Sequence, residues 1–187
     1  ANTAASTSGT NTASGDEIVI GHFASLTGTT ATFGKSTDNG IRLAFEQINA
    51  GGGVLGKNIS VVTEDNASRT EQVPSVVQKL INQKKVLVLM GEVASSRSLA
   101  AAPIAQAAKV PMVSPSSTNP KVTQQGDYIF RTCFIDPFQG TVMSKFARDT
   151  LKAKNAAILT DVANDYSKGL TEFFTADWTK NGGKVVA

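Results

Sequence analysis

The chain carries the sequence VPMVSPSSTNPKVTQQG at positions 110–126, and its polarity changes abruptly inside this stretch. Residues 110–113 are apolar and long enough for one buried strand. Four hydroxyl side chains then follow among stiffening prolines: Ser114, Ser116, Ser117 and Thr118. A buried strand that ends in hydroxyls and free backbone N–H groups predicts a small polar pocket, able to bind a carboxylate without a metal or a base. A Ser- and Pro-rich surface turn is the alternative that this stretch alone leaves open.

Short apolar strands alternate with helices around this stretch. Strands are predicted at 17–21, 59–63, 86–90, 110–113 and 128–132. Helices are predicted at 35–50 and at 97–109. A further helix is predicted between them, after Ser68 and Glu71, which have the spacing of a capping box. Strands that are apolar on both faces and separated by helices predict an α/β fold. Its sheet is expected to be parallel and Rossmann-like, with helices on both faces.

The same pattern starts again after Asp136 and Pro137. A helix at 138–151, a strand at 156–160, a helix at 167–180 and the start of a strand at 184–187 are predicted. We therefore expect an N-terminal lobe at 16–135, then a hinge crossing and the incomplete beginning of a second lobe at 136–187. So short a second unit does not bury both faces of its helices. Apolar residues such as Val142, Phe146 and Phe173 are therefore expected to pack against a second copy or a complementary fragment.

Composition excludes several classes of function. The chain has 187 residues, 41% of them hydrophobic, which is enough for one sizeable domain. The net charge is +3, and the Lys and Arg residues are spread out rather than clustered, so nucleic acid is not an expected partner. The chain has one cysteine, Cys133, and one histidine, His22. Neither a disulfide within the chain nor a Cys/His metal site is therefore expected.

Motifs for cofactors and for catalysis are weak. The glycines at 51–53 follow a helix and lack a Gly-Lys-Ser/Thr ending, and the loop at 28–34 lacks the G-x-G-x-x-G spacing. No cofactor is therefore expected, and a nucleotide-binding, flavodoxin-like enzyme is the weaker alternative. Asp161, Asp165 and Tyr166 follow a predicted strand, but no nucleophile pairs with them in the sequence. We expect no catalytic residue, no metal ligand and no enzymatic activity.

Three loops leave the carboxyl ends of predicted parallel strands, where ligands bind in folds of this class. They lie at 21–34, 91–96 and 114–118. Ser95 and Ser96 come directly before a helix, whose free N–H groups and dipole favour an anion such as an α-carboxylate. An N-cap role for either serine is compatible with this. Phe33 and Tyr166 lie near such ends, where an aromatic ring contacts an apolar ligand or packs locally.

Residues 1–15, ANTAASTSGTNTASG, contain only Ala, Asn, Thr, Ser and Gly. No large apolar side chain is present to anchor this segment to a core, so it is predicted to be a disordered tether. The tether is interpreted as the spacer of an exported protein, with or without a lipid anchor. A cloning remnant is the alternative.

Seven short segments, in this order and spacing, carry a resemblance to a known family. They are Glu17-Ile-Val-Ile-Gly21, Asn39-Gly-Ile-Arg-Leu-Ala-Phe-Glu-Gln-Ile-Asn49, Gly52-Gly-Val-Leu-Gly56, Gly91-Glu-Val-Ala-Ser-Ser96, Val113-Ser-Pro-Ser-Ser-Thr-Asn-Pro120, Phe130-Arg-Thr132 and Gln139-Gly140. Together they resemble the periplasmic solute-binding proteins of the branched-chain amino acid (Leu/Ile/Val) type. The resemblance covers the chain from about residue 17 to its last residue.

The resemblance implies a type I periplasmic binding protein. Two α/β lobes joined by hinge strands hold a solute in the cleft and deliver it to the membrane subunits of an ABC transporter, outside the cytoplasm. It implies that Ser95, Ser116 and Thr118 hold the α-carboxylate and α-ammonium of an amino acid. Phe33 matches an aromatic wall position, and Tyr166 an aromatic of the second lobe. Ser117 is a further candidate from the same hydroxyl cluster.

Two departures from the family pattern leave the ligand open. Ala67 and Ala94 stand where some members place a disulfide pair, so that cross-link is absent. The acidic residue of the second lobe that usually binds the ammonium is expected to lie beyond position 187. Other members bind amides, urea or aromatic acids, and a ligand-sensing receptor domain of the same fold is an alternative to a transport protein.

Overall fold

A parallel five-stranded sheet forms the centre of the first unit in the computed structural model, which describes residues 17–187. The predicted tether at 1–15 lies outside these residues. The sheet has the order β2-β1-β3-β4-β5. Its strands are β1 (Ile18–Ala24), β2 (Ile59–Asp65), β3 (Val88–Met90), β4 (Met112–Ser114) and β5 (Ile129–Arg131). Because β2 and β3 flank β1 on opposite sides, the strand order reverses at β1, and the carboxyl ends of β1 and β3 border that point.

Helices cover both faces of this sheet. They are α1 (Ala31–Ala50) on one face, and α2 (Val73–Asn82) and α3 (Ser95–Ala108) on the other. Two further helices, α4 (Asp136–Lys145) and α5 (Asp165–Lys180), follow in the second unit. Successive side chains of β1 point to opposite faces. Phe23 joins the core formed with α2 and α3, whereas the ring of His22 is bonded to Asp38 of α1. The predicted α/β fold with a parallel sheet is therefore confirmed.

The core lies between the sheet and the pair α2 and α3. Val73, Val77 and Leu80 of α2 are fully buried, as are Leu89 of β3 and Met112 of β4. Each buried side chain of this size contributes about 1.5–3 kcal/mol relative to exposure. This packing fixes where the strands end, and therefore where the loops of the candidate site begin.

The second unit is smaller and more open. Two short parallel strands, β6 (Asn155–Ala156) and β7 (Lys184–Val185), lie beside the packed pair α4 and α5. Trp178 is buried, stacks on Phe174 and donates from Nε1 to the carbonyl oxygen of Lys184 over 3.0 Å. Val142 and Phe146 are 47% and 53% exposed. Phe173, predicted to be exposed with them, is instead half-buried, because it packs on Gly140 of α4.

Several predicted boundaries were wrong by a few residues. The helix predicted at 138–151 ends at Lys145, and a one-turn π-helix, Phe146–Thr150, follows it. The strand predicted at 156–160 is reduced to Asn155–Ala156. Within residues 17–187, no helix is both long and apolar enough to cross a membrane.

The capping box predicted at Ser68 and Glu71 does not form. Ser68 Oγ instead donates to the carbonyl oxygen of Thr27 over 2.7 Å and accepts from the N–H of Thr30, so it holds the loop after β1. A short 3₁₀ turn, Thr70–Gln72, then leads into α2 at Val73. The Ser68 hydroxyl bonds to backbone groups of the loop after β1, because the fold brings that loop close to it. The spacing of residues in the sequence does not reveal this proximity.

Candidate functional site

The loops after β3 and β4 meet at the carboxyl edge of the sheet and bring three predicted residues together. Ser95 is the first residue of α3, and its Oγ accepts from the N–H of Asn119 over 3.2 Å. Ser116 Oγ donates to the carbonyl oxygen of Val93 over 3.2 Å. Since Thr118 is adjacent to Asn119, Ser95, Ser116 and Thr118 border one small polar region.

This region offers both donors and an acceptor. The N-cap of α3 is Ala94 rather than either serine, and its N–H donates to Glu92 Oε2 over 2.8 Å. Among residues 17–187, the N–H groups of Ser95 and Ser96 have no protein acceptor, and the buried Thr118 Oγ1 accepts no hydrogen bond. Free N–H groups at a helix N-terminus favour an anion, and a hydroxyl oxygen accepts from an ammonium.

Ser117 does not join this region. Its Oγ donates to the carbonyl oxygen of Glu92 over 2.8 Å and is bonded to Ser98 Oγ. Its N–H donates to Ser114 Oγ, and its carbonyl oxygen accepts from Arg131. Every polar group of Ser117 is therefore engaged inside the protein, and the structure does not support the prediction that it contacts a ligand.

The two aromatic candidates lie on the first turns of helices that follow strand ends. Phe33 of α1 is 62% exposed, which leaves its ring free to contact a ligand. Tyr166 is the second residue of α5, and its hydroxyl accepts from Gln139 Nε2 over 2.8 Å. The neighbouring Asp165 donates its N–H to Ser96 Oγ over 3.0 Å. Tyr166 is thus held at the border of the polar region by a contact between the two units.

A second polar contact reinforces the junction of the two units. Asn119 Nδ2 donates to the carbonyl oxygen of Asp165 over 2.9 Å. Lys168 holds the pKa of Asp165 below its ordinary value through a 2.9 Å ion pair. Asp165 is therefore a structural anion at the start of α5, and not a group prepared to accept a proton.

Arg131, at the end of β5, holds the loop that follows β4, and the sequence did not predict this. Its Nη1 donates to the carbonyl oxygens of Ser117 over 2.6 Å and of Asn119 over 2.9 Å. Its Nη2 donates to Pro120 and Thr123. Burial lowers the pKa of Arg131, although Cys133 and Asp136 act to raise it. A fork of five donors fits several carbonyl oxygens at once, so one side chain fixes the shape of the whole loop.

Asp136 lies beside Thr118 and was also missed. Its N–H donates to the carbonyl oxygen of Thr118 over 3.0 Å, and its side chain is fully buried. Burial raises the pKa of Asp136, whereas Thr118 and Arg131 act to lower it. A buried carboxyl group at this point contributes acceptor character next to the Thr118 hydroxyl.

Glu92 and Arg97 form a buried ion pair at the edge of the region, with Glu92 Oε2 lying 3.0 Å from Arg97 Nε. Both side chains are at least nine-tenths buried. The sequence does contain a signal for this ion pair: two residues of opposite charge flank Ser95 and Ser96, shortly after an apolar strand. Among residues 17–187, no group of three or more His, Cys, Asp or Glu side chains is arranged to hold a metal ion.

Known proteins resemble this chain over nearly its whole described length. An amino acid binding protein of Pseudomonas aeruginosa is 35% identical over 171 residues, which cover 91% of this chain and 46% of that protein. The crystal structure of the leucine-binding protein LivK of Thermotoga maritima is similar with 43% identity and a TM-score of 0.86, over 90% of this chain and 47% of that one.

A third relative was crystallised with a different solute. The solute-binding protein of an ABC transporter from Rhodopseudomonas palustris, in complex with 3,4-dihydroxybenzoic acid, is 31% identical with a TM-score of 0.82. That similarity covers 91% of this chain and 46% of that one. The chain therefore spans about half the length of the relatives that it matches. Since residues 17–187 match the family model described as periplasmic binding protein, the chain belongs to that family.

Proposed function

We propose that this chain is the amino-acid-binding part of an extracytoplasmic solute-binding protein. In this proposal the whole protein captures an amino acid, branched-chain or related, in a cleft between two lobes and delivers it to the membrane subunits of an ABC transporter. Proteins of this family bind solutes and are not enzymes, and the relatives include amino acid and leucine binding proteins.

One observation carries the proposal: free donors and an unpartnered acceptor lie together at the strand ends. The N–H groups of Ser95 and Ser96 receive the α-carboxylate at the start of α3, where the helix dipole favours negative charge. Thr118 Oγ1 accepts from the α-ammonium. Each hydrogen bond to a charged group contributes roughly 1.5–3 kcal/mol.

The contacts between the two units support a cleft at this place. Asp165 of α5 is bonded to Ser96 and to Asn119, so the second unit borders the same polar region. Phe33 on the first unit and Tyr166 on the second then contact the apolar side chain of the amino acid from either side. Aromatic rings bury large areas and suit an aliphatic side chain.

Aromatic acids form the rival ligand class, because one relative binds 3,4-dihydroxybenzoic acid. Such an acid has a carboxylate but no ammonium. The free N–H groups of α3 suit either ligand, whereas Thr118 Oγ1 contributes as an acceptor only to the amino acid. Thr118 therefore separates the two classes.

The test is calorimetric titration of the Thr118→Val variant of the protein that carries this chain. We expect affinity for leucine, isoleucine and valine to fall at least about tenfold, or ~1.4 kcal/mol, because the valine keeps the shape and removes the acceptor. Thr179→Val, on the exposed side of α5, is the matched control and leaves affinity unchanged. Unchanged amino-acid affinity in Thr118→Val would contradict the site. Binding of 3,4-dihydroxybenzoic acid alone by the parent protein would contradict the ligand class.

A further inference from the structure

One buried carboxylate connects the loops at the ends of the first three strands. Glu92 Oε1 accepts from Ser25 Oγ after β1 and from Asn66 Nδ2 after β2, the latter over 3.1 Å. Its Oε2 accepts from the N–H of Ala94, at the start of α3. The side chain is fully buried, so these contacts form without competition from water.

The backbone of Glu92 reaches the fourth loop. Its carbonyl oxygen accepts from Ser114 Oγ and from Ser117 Oγ, each over 2.8 Å. Ser98 Oγ, on the first turn of α3, is 3.0 Å from the N–H of Glu92 and accepts from it. Glu92 therefore touches every loop that leaves the carboxyl ends of β1, β2, β3 and β4.

Arg97 extends this network towards the first two loops. Its Nη2 donates to Thr30 Oγ1 over 2.8 Å, and its Nη1 donates to the carbonyl oxygen of Ser68 over 3.3 Å. Its Nε faces Glu92 Oε2 as an ion pair at 3.0 Å. The guanidinium is planar and holds its donors in a fixed fork, so it constrains the relative positions of three loops.

We propose that Glu92 and Arg97 are the positioning residues of the solute site: they hold the N-terminus of α3 and the loop 114–118 in the arrangement that binds a carboxylate. This inference rests on the proposed function. Glu92 takes the N–H of Ala94, so the next two N–H groups, of Ser95 and Ser96, are left for the solute. Neither charged side chain touches the solute, and both act through the groups that they orient.

A purely structural role would make the same pair important for folding alone. The two roles differ in what happens when both charges are removed together. Removing one partner leaves an uncompensated buried charge, whereas a neutral pair of similar shape restores much of the lost stability. The oriented N–H groups are not restored, because a glutamine at 92 has one acceptor oxygen instead of two and cannot accept from Ala94 together with Ser25 and Asn66.

The experiment compares Glu92→Gln, Arg97→Gln and the double variant with the parent, in this chain and in any longer protein that contains it. Leucine is the probe for titration calorimetry, and urea unfolding measures stability. Glu64→Gln is the matched control, because Glu64 pairs with Lys79 of α2 over 2.7 Å and not with the groups that Glu92 and Arg97 hold. We expect at least a tenfold loss of leucine affinity in all three variants and none in the control.

The double variant separates the two roles. We expect its urea midpoint to be higher than that of Arg97→Gln and closer to that of the parent. Its leucine affinity is expected to stay at least tenfold below that of the parent. Recovery of both properties together would overturn the positioning role and leave a structural one. If a single variant does not fold, Ser25→Ala tests the same connection more gently, because it removes one bond to Glu92 and is expected to weaken leucine binding about threefold. Unchanged affinity there would overturn the proposal.

A measurement without ligand keeps this inference distinct from the proposed function. Hydrogen–deuterium exchange in Glu92→Gln should be at least tenfold faster in the loops at 25–30, 66–68, 94–98 and 114–118 together. If exchange is faster in Glu92→Gln but the parent binds no amino acid, the proposed function is contradicted, whereas the connection of the loops through Glu92 still stands. Exchange that is unchanged in these loops would overturn the positioning role itself.

Discussion

The two units of this chain differ most in how completely their strands are covered. In the first unit β1 is paired on both sides, and helices pack on both faces of the sheet. In the second unit β6 and β7 pair only with each other among residues 17–187, and Leu159, shortly after β6, is fully exposed. The same kinds of residue are thus buried in one unit and exposed in the other. The local sequence pattern determines which helices and strands form. How much they contribute to stability depends on how many faces of their sheet are covered by packed helices.

Two phenylalanines test this contrast most directly. Phe23 of β1 is fully buried, whereas Phe146 is 53% exposed. We expect Phe23→Ala to lower the free energy of unfolding by about 3–5 kcal/mol, because it leaves a cavity in the core. Phe146→Ala is expected to cost only about 1–1.5 kcal/mol, since about half of that side chain is already exposed. Urea denaturation of both variants is the measurement, and equal costs would break the comparison.

Gly140 tests a tight contact between α4 and α5 in the second unit. A Cβ there would lie 2.7 Å from the backbone N of Phe174 and 2.8 Å from a backbone carbon of Phe173, which a helix cannot easily yield. We expect Gly140→Ala to destabilise the protein by about 1–3 kcal/mol by forcing α4 and α5 apart. Gly40→Ala in α1 is the control, because a Cβ there meets nothing within 4 Å.

The control is expected to change stability in the opposite direction. Alanine favours a helix by roughly 0.5–1 kcal/mol over glycine, so Gly40→Ala should be slightly stabilising. Thermal unfolding of the two variants gives both signs. A neutral Gly140→Ala would show that α4 and α5 pack loosely and would weaken the description of the second unit.

His22 is expected to give the smallest effect, and it is confined to the first unit. Burial lowers the pKa of His22 below its ordinary 6.5, although the hydrogen bond to Asp38 acts to raise it. The unfolded chain then binds a proton that the folded chain does not. Stability should therefore fall as the pH drops below about 6.5 towards the lowered pKa, and be unaffected by this group at higher pH.

The measurement is the free energy of unfolding of the parent and of His22→Gln at pH 8 and pH 5.5. We expect the parent to lose more stability between the two values than the variant does. Asp38 itself adds little in this window. Burial acts to raise its pKa, but bonds from Arg42, His22 and Thr63 hold the pKa below its ordinary value, so it stays ionised. An identical loss in both proteins would show that His22 does not titrate on unfolding.

The sequence predicted the elements of the first unit well, because their apolar runs and helical faces are long. Its predictions were least accurate where a side chain serves a distant part of the chain. The Ser68 hydroxyl satisfies the loop after β1 rather than its own helix, and the start of α3 is capped by Glu92 instead of by a serine. The Ser68 contact joins residues 41 positions apart, so spacing within one segment does not contain it. The Glu92 contact lies within one short loop and depends on how that loop folds.

The candidate site was predicted in part for the same reason. Ser95, Ser116 and Thr118 follow strand ends, so the topology of a parallel sheet brings them together. Ser117 belongs to the same run of hydroxyls, yet its side chain turns inward to Glu92. The alternation of inward and outward groups in an irregular loop depends on the donors around it, chiefly Arg131, and has no fixed period that could be read from the sequence.

The strand order β2-β1-β3-β4-β5 also determines how long β1 lacks one of its partner strands during translation. Strand β1 ends at Ala24, but its second neighbour, β3, begins only at Val88. At roughly 5–20 residues per second, β1 waits on the order of 3–13 s with one edge unpaired. During that interval the segment IVIGHFA presents an apolar edge to which another nascent chain can pair. The strand that is made first is thus the one that most needs protection until the ribosome has completed its partners.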